Sequence, residues 1–265
     1  MGRWTVGDIQ VLQVEEPGWE MVLPQDDASV AALQRSPWLQ PHFVTDDWSL
    51  RIGSSAVVLR RGDDVVLVDP FLAFDDPDAL GRRLQALRDA GVEAEHVVAV
   101  VYTHVDGVGV GLLADRAPTF PDARYLVPRL ELEALRAGDH GDPRGEPLLA
   151  LWDGGTVVPT TGDERLLDGV RLDDAPGHNP GHHVVWIEAG DESAVLVGHL
   201  FLHPAQIADP EVVTADRDPE VLRATRRELL AEVARRRSVL VGPLFAGPGG
   251  GRVSAAGSGW RLEVG

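Results

Sequence analysis

A run of β-branched residues, Val97, Val98, Val100 and Val101, reads as a buried strand. It stops at Thr103-His104 and enters a glycine-rich turn through Gly107, Gly109 and Gly111. A polar cluster at the mouth of a buried strand is where layered α/β proteins carry their chemistry. Here only part of such a cluster is present. His104 and Asp106 are metal-ligand types, whereas Val108 and Gly109 can coordinate nothing.

The 265 residues suit one substantial domain, 1–265, with enough apolar content for a real core. A net charge of −18 argues against nucleic acid or an anionic membrane as partner. All 24 basic residues are Arg, so no lysine is available for Schiff-base or general-base work. The lack of Cys removes disulfides, thiolate nucleophiles and thiolate metal sites. No signal-peptide pattern opens the chain and no apolar run suffices to span a bilayer. The expectation is a soluble, cytoplasmic protein acting on a small molecule.

Along the chain, Asp8–Val14 alternates as a strand. Trp19–Pro41, rich in Pro, Gln and Trp, reads as irregular chain draped over the protein rather than a linker. Trp4, Trp19, Trp38 and Trp48 crowd this end, and packing is the expected role for at least half of them. Leu50–Arg60 and Asp64–Val68 read as strands joined at Arg61-Gly62-Asp63. Asp76-Pro77, then Leu80, Leu84 and Leu87, then Gly91, spell a capped amphipathic helix.

Ala123–Val127 predicts a strand, Pro128–Ala137 a helix and Gly138–Pro147 a polar loop. Short strands follow near Thr156–Val158, Val170–Leu172, Val184–Glu188 and Ala194–Val197. Asp218-Pro219 caps a long helix ending in Arg235-Arg236-Arg237, a basic run suited to the negative end of the helix dipole. Val239–Val241 is a last buried strand and Pro248–Gly251 a tight turn. Two strand-rich halves flanked by helices predict an α+β protein: an αββα sandwich of two mixed or mostly antiparallel sheets with helices on the outer faces.

Four strand ends carry the candidate chemistry. His104 and Asp106, two residues apart, project to one side. Two Pro-Gly pairs in Pro176-Gly-His178-Asn-Pro-Gly181 make turns that aim His178 inward. His199 leaves the strand end at Val197-Gly198, and Gly242-Pro-Leu244 ends the last strand without a titratable group. His182 and His183 read as hydrogen-bonded histidines at the start of a strand, and His203 as one that packs or bonds backbone. His42, His96 and His140 lie in loop or edge contexts.

These stretches resemble the metallo-β-lactamase-fold proteins, nearest to the lactonase and organophosphate-hydrolase-like branch, from about Asp8 onward. The family motif Thr-His-x-His-x-Asp-His-x-Gly-Gly falls on Tyr102–Gly111. His104 matches its first histidine; Asp106, Val108 and Gly109 stand where the second histidine, the aspartate and the third histidine belong. His178 matches the histidine of the family's Pro-Gly-His loop, His199 replaces the metal-bridging aspartate, and Leu244 replaces the last histidine. Asp69 falls on a family aspartate that is usually structural or supports the ligands. The resemblance also implies that the N-terminal segment, 19–47, reaches over a cleft or forms a homodimer contact.

The resemblance therefore implies that the second metal site is absent (Val108, Gly109, Leu244), while His104, Asp106, His178 and His199 remain as catalytic or metal-binding groups for one Zn, Fe or Mn ion. Three readings are open on this basis. One is a mononuclear hydrolase of an ester, lactone or thioester of a small, apolar molecule. Another is a metal-free lyase, isomerase or cyclase using His/Asp acid–base chemistry. The third is a non-catalytic ligand-binding protein.

Overall fold

The computed structural model describes residues 2–71, 78–105, 119–138, 146–214, 216–257 and 259–264. The chain opens with β1 (Arg3–Val6) and β2 (Ile9–Glu15), followed by β3 (Met21–Leu23), α1 (Asp27–Leu33) and β4 (Leu50–Ile52). The strands β5 (Ser55–Arg61) and β6 (Asp64–Val68) form the expected hairpin, its Gly62 at φ 59°. Next come α2 (Ala79–Asp89), β7 (Val97–Val101), β8 (Arg124–Pro128), α3 (Arg129–Ala137), α4 (Glu146–Asp153) and β9 (Val157–Thr160).

The second half holds β10 (Arg165–Leu167), β11 (Val170–Asp174), β12 (His183–Ala189), β13 (Glu192–Leu196), α5 (Ala205–Ala208) and α6 (Pro219–Arg236). It closes with β14 (Val239–Val241), β15 (Gly250–Ala256) and β16 (Gly259–Glu263).

Two seven-stranded sheets result, ordered β1-β2-β5-β6-β7-β8-β9 and β10-β11-β12-β13-β14-β15-β16. Both are mixed: β6 to β9 run parallel in the first, and β13 and β14 in the second. Alternation along the strands sorts the side chains into layers. Val57 and Leu59 of β5 and Val66 and Val68 of β6 face Val185, Ile187, Leu196 and Val241, forming the core between the sheets. Their neighbours Ala56, Val58, Val65 and Leu67 turn outward under α2, α3 and α4, which contribute Leu87, Leu132, Leu135 and Leu148. The outer face of the second sheet packs beneath Leu222, Leu230 and Val233 of α6 and Leu39 and Phe43 of the N-terminal segment. The order helix–sheet–sheet–helix is the α+β, αββα sandwich expected.

Several local expectations are corrected. Leu50–Arg60 is two strands, because the chain leaves the sheet at Gly53, whose N–H donates to the carbonyl of Leu244 (2.8 Å). A Cβ at Gly53 would stand 3.3 Å from the Phe245 carbonyl, a tight contact that favours glycine at this close approach. The segment 19–41 is not irregular throughout: β3 pairs with β4, and Asp26 caps α1. Trp4, Trp38 and Trp48 are half-buried and pack on the core. Part of the expected 138–147 loop starts α4 instead, Gly250 and Gly251 open β15 rather than a turn, and β1, β10 and β16 were not anticipated. Residues 76 and 77 lie outside the described residues; α2 follows Asp78 and stops before Gly91 at φ 78°.

The expected cap of α6 is present. The Asp218 carboxylate accepts the N–H groups of Glu220 (3.2 Å) and Val221 (3.1 Å), and Pro219 takes the first helical position. Arg235 and Arg236 fold back on Glu232, and Arg236 also reaches Glu188, so two of the three arginines of this run are tied into ion pairs at the protein surface while Arg237 takes the left-handed C-cap.

Candidate functional site

At one edge of the sandwich the ends of β6, β7 and β13 meet the turn that leads into β12. His104 follows β7 and is held through a relay from β6. The Asp69 carboxylate, its backbone at φ 43°, accepts the Thr103 N–H (2.8 Å) and the Thr103 hydroxyl (2.6 Å). The hydroxyl proton is thereby used, so Thr103 Oγ1 can only accept from His104 Nδ1, 2.9 Å away. That sets the His104 tautomer: Nδ1 carries the proton and Nε2 keeps its lone pair.

His178 is aimed by the turn between β11 and β12. Gly177 sits at φ 128°, and a Cβ there would lie 2.4 Å from the backbone of Leu222, so only glycine lets the turn lie against α6. The side chain of Asp216 is fully buried and its Oδ1 accepts from His178 Nδ1 at 2.8 Å, which in the neutral ring puts the lone pair on Nε2. Burial alone would raise the Asp216 pKa; the hydrogen bonds from His178 and the Thr214 N–H outweigh it and hold the carboxyl below the usual range. Asp216 was not visible as a partner in the sequence, being 38 residues from the histidine it orients.

Glu131 of α3 is a second group that sequence reasoning missed. Fully buried, it accepts from Asn179 Nδ2 (3.0 Å), the Gly181 N–H (3.0 Å) and the Val105 N–H (3.2 Å). One carboxylate thus joins the turn bearing His178 to the residue after His104.

His199 lies in a short 3-10 turn, Gly198–Leu200, beyond β13. Its N–H donates to His182 Nε2 (3.1 Å), so neutral His182 carries its proton on Nδ1, which has no hydrogen-bond partner among the described residues. Burial, and then repulsion by the neighbouring imidazoles, keeps the His182 pKa well below 6.5. His183 starts β12 with its ring against Thr160 and Asp174 and its N–H on the Thr103 carbonyl. His203 bonds the Phe43 carbonyl (2.8 Å), and burial pushes its pKa down to about 4.

His104, His178 and His199 come together. Each offers a ring nitrogen, and these atoms all lie within 4.8 Å of one another. The ring centres are separated by 4.2 Å (104–199), 5.1 Å (104–178) and 5.4 Å (178–199). His182, expected to be only a hydrogen-bonded strand-start histidine, joins the same stack 5.0 Å from His104. Asp106, Val108 and Gly109 lie outside the described residues. Leu244 is buried and carries no donor, as expected from its type. The donor set fits one ion: three buried imidazoles, two with Nδ1 already engaged by hydrogen-bonded carboxylate or hydroxyl partners.

The sequence profile of the metallo-beta-lactamase superfamily matches residues 50–243. The chain belongs to the metallo-beta-lactamase superfamily. Solved members share its fold at low identity. The lactonase AidC, described as a dizinc quorum-quenching enzyme and bound to a homoserine product, is 16% identical over 98% of this chain and 96% of its own, with a TM-score of 0.79. The hydrolase AbOPH is 18% identical over 98% and 96%, with a TM-score of 0.81. A probable metal-dependent hydrolase from Staphylococcus aureus is 16% identical over 98% and 99%, with a TM-score of 0.72. Among curated proteins none matches the chain by sequence. Members of this superfamily typically bind zinc, and among the described residues no helix is long and apolar enough to cross a membrane.

Proposed function

We propose that this chain is a hydrolase of small, apolar esters, lactones or thioesters, working with one metal ion at His104, His178 and His199, to which Asp106 adds a carboxylate. The observation that carries the reading is the convergence of three buried imidazole nitrogens within 4.8 Å. Asp69–Thr103 and Asp216 hold two of the rings in the tautomer a metal requires. Zn²⁺, Fe²⁺ and Mn²⁺ all accept such imidazole-rich sets. When bound, the ion supplies Lewis acidity, polarising a carbonyl oxygen and making water nucleophilic near neutral pH.

The chain's own groups supply orientation. Asp216 and Thr103 keep His178 and His104 from rotating, and Glu131 holds their two loops at a constant separation. The lactonase and hydrolase neighbours support the reaction class. A cavity of about 810 Å³ has both apolar walls (Leu33, Leu39, Leu50, Trp260) and polar ones (Gln25, Arg35, Glu211, Arg227). None of the three histidines lines that cavity, so it is separate from the proposed reacting centre.

Hydrolysis of short lactones, aryl esters and thioesters by protein reconstituted with Zn²⁺, Fe²⁺ or Mn²⁺ tests the reading. His178→Ala is expected to lower kcat/KM by roughly 100-fold or more, since loss of a ligand exceeds the 10–100-fold cost of losing a ligand's support. Turnover that survives this substitution unchanged would overturn it.

A further inference from the structure

Among the described residues two arginines are buried, and they differ in what holds them. Arg83 meets the Glu16 carboxylate at 2.6 Å. Arg226, on the inner face of α6 and fully buried, forms no ion pair among the described residues. Its Nε donates to the Leu200 carbonyl (2.6 Å), and its Nη1 donates to the Val212 carbonyl (2.5 Å) and, more weakly, to that of Pro210 (3.5 Å). The guanidinium lies 5.3 Å from the centre of the Phe201 ring, and Nη2 has no hydrogen-bond partner among the described residues. A guanidinium buried on carbonyls alone is costly to keep. Burial draws its pKa down to about 10, so it stays charged at neutral pH.

Where the two prongs land gives the arrangement its meaning. Leu200 immediately follows His199. Val212 begins the short stretch to Asp216, whose carboxylate holds His178 at 2.8 Å. The backbone of this stretch then closes on the His178 turn, with the Arg217 N–H on the His178 carbonyl (3.0 Å) and the Asp218 N–H on that of Gly177 (2.9 Å). One planar fork therefore spans the two segments that place His199 and His178. Two charges act on it: Asp216, which favours the cation, and Arg223 one turn back on α6, which opposes it.

We propose that Arg226 is a positioning residue for the histidine cluster: by clamping the Leu200 and Val212 carbonyls it fixes the separation of His199 from the Asp216–His178 pair. The metal-binding part of this inference rests on the function proposed above; the geometric part does not. Lysine is a poor substitute, because a single nitrogen cannot reproduce two parallel donors in a rigid plane.

The test uses Arg226→Gln, Arg226→Lys and, as a control, Arg83→Gln, which breaks the other buried arginine site. Two readouts are taken on each full-length protein: Zn²⁺ affinity by competition with a chromophoric chelator, and the histidine ring ¹⁵N–¹H spectrum of metal-free protein, which reports the His178 tautomer. Arg226→Gln is expected to weaken Zn²⁺ binding about 10–100-fold and to alter the His178 ring signals, and Arg226→Lys to weaken binding about 10-fold. Arg83→Gln should lower the melting temperature while leaving both readouts as in the wild type. A folded Arg226→Gln protein matching wild type in both readouts overturns the proposal, as does an equal loss of Zn²⁺ affinity in Arg83→Gln. Should Arg226→Gln not fold, Arg226→Lys decides: weakened binding supports the clamp and wild-type binding overturns it. If the wild-type protein binds no Zn²⁺, the functional reading fails, and the His178 ring signals alone decide the positioning role.

Discussion

Gly198 shows how narrow the tolerances are around the three histidines. At φ 51° it carries the chain from β13 into His199, and a Cβ there would stand 2.3 Å from Thr103 Oγ1 and 2.7 Å from His182 Nε2. Gly190 has nearly the same backbone, φ 59°, but a methyl added there would meet nothing within 4 Å. Gly190→Ala therefore measures the backbone cost alone, about 1 kcal/mol, and Gly198→Ala is expected to lose roughly 1–3 kcal/mol more from overpacking. Urea unfolding of the two variants checks this, and equal losses would show that the close approach does not matter. His203 provides a pH signature. Its folded pKa of about 4 lies below the unfolded 6.5, so in that interval the unfolded chain binds more protons. Its contribution is complete above about pH 6.5 and is lost as pH falls toward 4, amounting to as much as roughly 3 kcal/mol at 1.36 kcal/mol per unit. His182 and His183 are also shifted down and add slope of the same sign. His203→Gln should flatten the stability profile between pH 4 and 6.5; an unchanged slope would contradict the assignment.

Among the elements, α3 and α6 do the most to place the site. Glu131 of α3 accepts three donors from two loops, and Glu131→Gln must present an N–H₂ to at least one of them. A loss of about 1–3 kcal/mol in chemical denaturation is expected for the buried mismatch, against near-neutral behaviour if the latch is incidental. The difference between what could and could not be read from the sequence follows the range of the interactions. The Asp218-Pro219 cap of α6 and the hairpin at Gly62 are local, and both are where the sequence puts them. The split at Gly53 depends on the distant Leu244 carbonyl, and β3 exists because β4 pairs with it. Glu131 was not legible in the sequence, because nothing within its own turn shows that Asn179 and Gly181 lie beside it.

At the scale of the whole molecule, two mixed sheets bring strand ends from both halves of the chain to one edge. His104 comes from the first sheet's side and His178 and His199 from the second, and the His183 N–H to the Thr103 carbonyl (2.8 Å) joins the two. Two strand-rich halves, each flanked by helices, made the layered fold legible, and the strand ends at Thr103 and Gly198 with the Pro-Gly turns around His178 made the three converging histidines legible. Their partners Asp216 and Arg226 were not, since neither has a periodic or motif context. The most direct test is elemental analysis of untagged protein purified without chelator, paired with thermal unfolding before and after metal removal. One equivalent of Zn, Fe or Mn per chain is expected, lost in His104→Ala, with a melting temperature that falls when the ion is stripped. Substoichiometric metal that Zn²⁺, Fe²⁺ or Mn²⁺ cannot restore, or two equivalents per chain, would contradict a single-ion centre at these three histidines.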